Sequence, residues 1–397
     1  MSTMEPSGLA DRFEEEELLR IVRDLVRIRT ENPPGGEEAA ALYIQRILKK
    51  EGIEARLQSV APGRANVTAV LEGIRPGPTL LYNGHLDVVP AGNAWTKEPF
   101  EALIQNGRLY GRGASDMKSG VSAMLYAAIL LKRMGCPFDG KLILFFNADE
   151  EVSNKGMLRM MEDPLKADFA VVSEPSDLDI CVCHKGDARI RVTTTGTAGH
   201  TAVVQNPDNA ITKMIRLVQS LERLGSRIRE RKHELLGTAS LTVAQFNGGS
   251  APNMVPSRAV IEVDRRIVPG ENREDVLGEI ESALSDSANQ EDFDYESELY
   301  LYLPPHDIPV QHRLTQTALR IASETTGKEK RAKPFAATAE CPFFSQRLGI
   351  PTLILGPGSL LEAHTADESV EVSEIADATK IFVRLALELL RSEEGIA

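Results

Sequence analysis

Residues 141–151 read KLILFFNADEE and residues 78–87 read PTLLYNGHLD. Each is a short apolar run that breaks abruptly into acids or a histidine. Runs of this length, bounded by turn residues, predict strands buried on both faces. Three further stretches have the same form: NVTAVLEG (66–73), ADFAVVSEP (167–175) and PTLILGPG (351–358). Helical patterns fall between them. Leu18, Val22, Leu25 and Ile28 predict a helix over 11–29, stopped by Asn32-Pro33-Pro34-Gly35-Gly36. A second helix is predicted to end near Gly52, and another spans 119–134. Strands alternating with helices predict the α/β class: a mixed sheet with helices on both faces.

The middle of the chain has another rhythm. ARIRVTTTG (188–196) alternates apolar and polar residues, as a half-exposed strand does. A helix over 207–224, strands TASLTVAQF and RAVIEVDRR, a helix over 273–287 and a strand in DFDYESELYLYL follow. The order β-α-β-β-α-β is that of a ferredoxin-like α+β domain. The expected organisation is therefore a discontinuous α/β domain, 1–185 and 303–397, interrupted by an inserted domain over 186–302.

The chain has 397 residues, with 45 basic against 58 acidic side chains, a net charge of −13. Such a surface repels phosphate backbones, so no nucleic-acid partner is expected. The stretch GVSAMLYAAILL (120–131) is too short to span a bilayer, and no membrane association is expected. The four cysteines are scattered, and the close pair Cys181 and Cys183 is C-x-C rather than C-x-x-C. That usage predicts free thiols in a reducing compartment. With an acidic N-terminus lacking an apolar segment, the expected location is the cytoplasm.

The chemistry-bearing residues sit at or just past the predicted strand ends, where open α/β sheets bind ligands. His85 and Asp87 are two apart on an extended segment and share a face. Asp116 lies in GRGASDMKSG before an apolar helix, where an N-cap is the ordinary reading. A phosphate loop fails there, because Arg112 and Met117 stand where glycines are required. Glu150 and Glu151 end one strand, Glu174 another, and His364 follows the Gly-rich loop after a third. Each alone reads as a loop residue or a cap. Together, two imidazoles and several carboxylates suit zinc or a related divalent ion. Five ligands exceed one catalytic zinc and suit two cations sharing a carboxylate, ~3.5–4 Å apart.

At this point the chain resembles a known family. NGHLDVVPAG, LYGRGASDMKSG, ADEEVSNKG, SEPS and GPGSLLEAHTADE, in this order, resemble the zinc metallopeptidase family of acetylornithine deacetylase, succinyl-diaminopimelate desuccinylase, carboxypeptidase G2 and the aminoacylases. The resemblance implies that His85 and Glu174 hold one metal, Glu151 and His364 the other, and that Asp116 bridges them. It implies that Asp87 orients His85 and that Glu150 is the general base. GTAGHTA, NGGSAPNMVPS and DRRIVPGE imply a catalytic His200, reaching a neighbouring subunit's site, and substrate-binding Asn253 and Arg266; Gly356 and Gly358 are expected to help hold the substrate carboxylate. The inserted domain is then a lid and dimerisation domain, and the protein a homodimer.

The expected cofactors are two Zn2+ per subunit, with Co2+ an accepted substitute. The expected reaction is hydrolysis of the amide bond of an N-acyl amino acid by a metal-bridging hydroxide. The alternative is a dipeptidase or carboxypeptidase with the same metals. One departure concerns substrate choice: TAECPFF carries Glu340-Cys341 where many relatives have a Thr-Asp-Ala-like sequence.

Overall fold

In a computed structural model that describes residues 12–205 and 207–392, strands Thr79–His85 and Lys141–Asn147 lie side by side in the middle of a mixed sheet. They pair in parallel, with His85 opposite Asn147. Both are buried along nearly their whole length, which is why they read as unbroken apolar runs. Thr79–His85 also pairs in parallel with Phe169–Val172, which pairs in parallel with Thr352–Ile354. Four carboxyl-terminal strand ends therefore face the same edge of the sheet. On the far side of Lys141–Asn147, Arg64–Glu72 runs antiparallel and forms a hairpin with Ala55–Ala61. The Ala55–Ala61 edge strand is half exposed along its length, so it lacks the apolar signature of the other five.

Helices cover this sheet. Glu38–Lys50 packs on the hairpin, and Ser119–Arg133 packs on Thr79–His85 and Lys141–Asn147. Val372–Leu389 packs in turn on Ser119–Arg133, and its Phe382 carbonyl accepts a hydrogen bond from the buried Tyr82 hydroxyl at 2.5 Å. The first helix forms as Glu15–Arg27; residue 11, its expected start, and the N-terminal segment read above lie outside the described residues. Gly52 closes the second helix at φ +68°, a conformation glycine adopts without strain. A small antiparallel sheet of Leu103–Gln105, Arg108–Tyr110 and Ser369–Glu371 was not legible as strands, because these short segments mix polar and apolar residues and form no apolar run.

The chain divides into two compact units. One comprises residues up to Val182, Ile308–Phe335 and Ala339 onward; the other comprises Cys183–Asp307 with Ala336–Thr338. In the second unit, strands Gly186–Thr195, Ser240–Gly248, Arg258–Ile267 and Tyr295–Leu303 form an antiparallel sheet. Helices Ala210–Ile228 and Arg273–Glu291 separate them in the β-α-β-β-α-β order. Arg258–Ile267 buries every second residue, including Ile261 and Val263, against Leu217, Leu221 and Leu284 of these helices. Asn209 and Asn272 cap the helices, each accepting backbone N–H bonds through its side chain. Among the described residues no helix is long and apolar enough to cross a membrane.

Candidate metal centre

Parallel pairing places His85, Asn147 and Val172 at neighbouring strand ends, so the residues that follow them share one edge. Among the described residues two groups have metal-binding donor sets: His85, Asp116 and Glu174, and Asp116, Glu151 and His364. In each group the donor atoms lie within 4.8 Å of one another. Asp116 belongs to both.

Asp116 is not the N-cap of the following helix. It sits in an irregular turn, Ala114–Lys118, at φ −119° and ψ 98°, and the helix starts at Ser119. Its Oδ1 lies 3.1 Å from His85 Nε2 and its Oδ2 3.3 Å from His364 Nε2. Burial would raise this carboxyl, but the bonds from His364 and His85 hold it below the usual carboxylate range. The turn itself is fixed by Glu368, whose Oε1 accepts Ser115 N–H at 2.8 Å and Asp116 N–H at 3.0 Å. Glu368 is fully buried and ion-paired to Arg112; burial pushes its carboxyl up to about 7.

His85 is buried, with Nδ1 2.9 Å from the Asp87 carbonyl oxygen and 3.7 Å from Asp87 Oδ1. Asp87 thus orients the ring through its backbone. The carbonyl accepts a hydrogen bond from Nδ1–H and leaves Nε2 as the ligating nitrogen facing Asp116. Burial alone would lower the imidazole pKa, but the Asp116 bond and the charges of Glu174 and Glu150 raise it well above its ordinary value. His364 is half exposed, and its bonds to Asp116 and Glu151 push it up to about 10. A site that attracts protons this strongly also attracts cations, which compete for the same atoms.

The Asp87 carboxylate has a different task. It accepts the N–H groups of Glu150 and Glu151, both at 3.1 Å, and so holds the turn after strand Lys141–Asn147. Glu151 lies 3.2 Å from His364 Nε2. Glu150 belongs to neither donor group. Burial, then the charges of Glu340, Glu151 and Asp87, raise its carboxyl well above the usual range despite the opposing pull of His85. Glu174 is raised well above its usual range in the same way, by burial and then by Asp116. Concentrating this many carboxylates out of water costs several kcal/mol each unless cations compensate them. The donor chemistry, nitrogen and oxygen without thiolate, fits zinc or a related divalent ion.

Two acids here escaped the sequence reading as site residues. Glu368 reaches Arg112 only because Ser369–Glu371 pairs with Arg108–Tyr110 across more than 250 residues. Glu340 is fully buried, with Oε1 accepting from Asn147 Nδ2 and Oε2 without a hydrogen-bond partner among the described residues. Burial pushes it up to about 7. Its placement beside Asn147 follows from the fold and not from any local signal.

The remaining expected residues behave differently. The N–H of Gly356 donates to Ser176 Oγ at 3.0 Å and that of Gly358 to Glu374 Oε2 at 2.9 Å, so both are already used within the protein. What these glycines provide is close approach: a Cβ at 356 would meet the Ser173 and Glu174 carbonyl oxygens at 2.5 and 2.6 Å, and one at 358 would meet Ser115 Oγ at 2.5 Å. In the second unit, His200 is exposed and bridges to Met254 in a two-residue ladder, and the Asn253 carbonyl accepts the Thr201 N–H. Arg266 turns Nε and Nη2 onto Asp264, each at 3.0 Å, and its Nη1 lies 3.7 Å from Asp187 Oδ2, so its guanidinium is engaged by acids of the second unit.

Comparison with known proteins shows the family. The chain is 28% identical to the N-formyl-4-amino-5-aminomethyl-2-methylpyrimidine deformylase of Halalkalibacterium halodurans, over 94% of each chain. It is 28% identical to a probable succinyl-diaminopimelate desuccinylase of Staphylococcus aureus, over 96% of this chain and 99% of that one. Aminopeptidase PepT of Bacillus cereus shares the fold with a TM-score of 0.80 at 19% identity, covering 96% of this chain and all of that one. A Bacillus subtilis protein described as a dinuclear metal-binding peptidase shares it with a TM-score of 0.72 at 17% identity, covering 95% and 98%. The profile of peptidase family M20/M25/M40 matches residues 81–388, a span that runs from strand Thr79–His85 into helix Val372–Leu389. The chain belongs to that family and is a hydrolase of amide or peptide bonds.

Proposed function

We propose that the chain hydrolyses the amide bond of N-acyl amino acids using two divalent cations, zinc by donor set, with cobalt as a working substitute. The observation that carries this reading is the shared carboxylate: Asp116 joins two donor groups that otherwise have no member in common. His85 and Glu174 complete one, Glu151 and His364 the other. When bound, the cations polarise the amide carbonyl and lower the pKa of water.

The chain's own residues supply the rest. Glu150 lies next to a ligand without being one, and its raised carboxyl suits a group that must accept and then release a proton. It takes the proton of the attacking water at a carboxylate oxygen and delivers it to the leaving amine. Asp87 keeps the Glu150 and Glu151 backbone fixed through both steps. By resemblance, His200 stabilises the oxyanion in a neighbouring subunit's site, which makes the second unit a lid and dimerisation domain and the protein a homodimer. Asn253 and Arg266 bind the substrate carboxylate; Arg266 exchanges its Asp264 contact for a bidentate one with substrate. The four cysteines are buried and no disulfide joins them among the described residues, which supports a reducing, cytoplasmic location.

The test is a panel of acetyl-, formyl- and succinyl-amino acids and dipeptides, assayed on protein stripped by a strong chelator and reloaded with Zn2+ or Co2+. Activity should vanish on stripping and return on reloading. Turnover of dipeptides alone would move the assignment to a dipeptidase or carboxypeptidase with the same cations. No turnover across the panel by protein shown to hold two cations would refute the reading.

A further inference from the structure

Residues 28–32 cross the carboxyl ends of strands Thr79–His85 and Lys141–Asn147 and are tied down at each step. Lys118 Nζ donates to the Ile28 carbonyl at 2.7 Å, and Thr30 Oγ1 donates to the Leu86 carbonyl at 2.7 Å. Val88 N–H donates to the Thr30 carbonyl and Asn32 N–H to the Val88 carbonyl. The loop ends on a buried side chain, Asn32. Its Nδ2 donates to Asp87 Oδ2 and to Asp149 Oδ1, both at 2.9 Å. Both partners accept only, so the amide nitrogen must face them, and its two hydrogens are both used.

The two carboxylates that Asn32 joins flank the catalytic turn. Asp87 receives the N–H groups of Glu150 and Glu151. Asp149 is the residue before Glu150, at φ +69°; Arg64 Nη1 shares its Oδ1 with Asn32, at 2.9 Å, and Ser153 Oγ and the Lys155 N–H hold its Oδ2. Arg64 in turn pairs with the buried Glu37. The turn carrying the base and one ligand thus hangs between two carboxylates, and the Asn32 amide is the neutral link between them. A carboxylate in its place would put three negative groups together, and a shorter side chain would leave Asp87 and Asp149 unjoined.

We propose that Asn32 is a positioning residue: by clamping Asp87 to Asp149 it sets the direction of the Glu150 and Glu151 side chains, and so governs turnover and the cation group containing Glu151. This rests on the two-cation reading above. Because Asn32 bonds the Asp87 carboxylate, which holds the Glu150–Glu151 turn, and not the Asp87 carbonyl that holds His85, its loss should be asymmetric. The group of Asp116, Glu151 and His364 should lose affinity, and the group of His85, Asp116 and Glu174 should keep it.

The experiment compares Asn32→Ser, Asn32→Asp and the control Thr30→Val, which cuts a tether of the same loop without touching either carboxylate. Full-length proteins are titrated with Co2+ alone, following the two binding steps by calorimetry and visible absorption. They are then assayed on the substrate that wild type turns over. Both Asn32 variants should lose about 10–100-fold in kcat and in one cation affinity, as loss of a partner behind the ligands does, with KM and the other affinity nearly unchanged. Asn32→Ser, which keeps one donor, should be the milder and is the variant to read if Asn32→Asp does not fold. Amide hydrogen exchange across 148–152 should rise in Asn32→Ser and not in Thr30→Val. Equal loss at both cation steps, unchanged kcat with both affinities intact, or the same behaviour in Thr30→Val would overturn the proposal while leaving the two-cation reading in place. A wild-type protein that binds fewer than two Co2+ would overturn both.

Discussion

Gly356→Ala tests how backbone packing sets the donor groups. A Cβ there would lie 2.5 Å from the Ser173 carbonyl oxygen and 2.6 Å from that of Glu174, against 3.4 Å for ordinary contact. The deficit, close to 0.9 Å, falls on main chain and cannot be met by rotating a side chain. Overpacking of this kind costs about 1–3 kcal/mol, and urea unfolding of the stripped protein measures it. The moved atoms adjoin Glu174, which belongs to the His85 group alone. Cation titration should therefore show that group weakened about 10–100-fold and the other nearly unchanged, by analogy with other disturbances behind a ligand. Gly358→Ala supplies the contrast. It adds strain of about 1–2 kcal/mol from its left-handed φ, +85° here, and presses on Ser115, the neighbour of the shared Asp116. Both groups should then weaken. If Gly356→Ala loses stability as expected yet keeps both affinities, the backbone of Glu174 does not set the site, and the reasoning fails.

Three further outcomes are expected. Glu150→Ala should retain both cations and lose about 10²–10⁴-fold in kcat; loss of a cation would make Glu150 a ligand instead. Inactive His200→Ala mixed with inactive Glu150→Ala should regain partial activity once subunits exchange, and no recovery after demonstrated exchange would count against a shared site. His184 is fully buried, and burial lowers its imidazole to about 4 from an ordinary 6.5. The unfolded chain therefore binds the extra proton in that window, so this contribution is complete above about pH 6.5 and is lost as pH falls toward 4. Relative to His184→Asn, the wild type should lose about 2 kcal/mol of stability on going from about pH 7.5 to about pH 5, and parallel curves for the two proteins would contradict it. Taking the difference removes the raised carboxyls Glu340 and Glu368, which act with the opposite sign in both proteins.

The sequence by itself determines where strands run and where chemistry gathers. Buried parallel strands must be apolar throughout, so KLILFFN and TLLYNGH announce themselves, and the polar residues at their ends are conspicuous for the same reason. The α/β class and the alternating pattern of the second unit follow from burial periodicity, which is local. What only the tertiary structure decides is what each polar group touches. Asp87 looks like the partner of His85, yet its carboxylate holds the Glu150–Glu151 turn and its carbonyl holds the imidazole. Asp116 reads locally as a helix cap and by resemblance as a shared ligand; the fold sets it between two histidines, with Glu368 holding its N–H. Asn32, Arg64 and Glu368 carry no local signal for the site, because hydrogen bonds act over about 3 Å in space with no regard to separation along the chain. Strand pairing brings those residues within reach, and no window of sequence contains it.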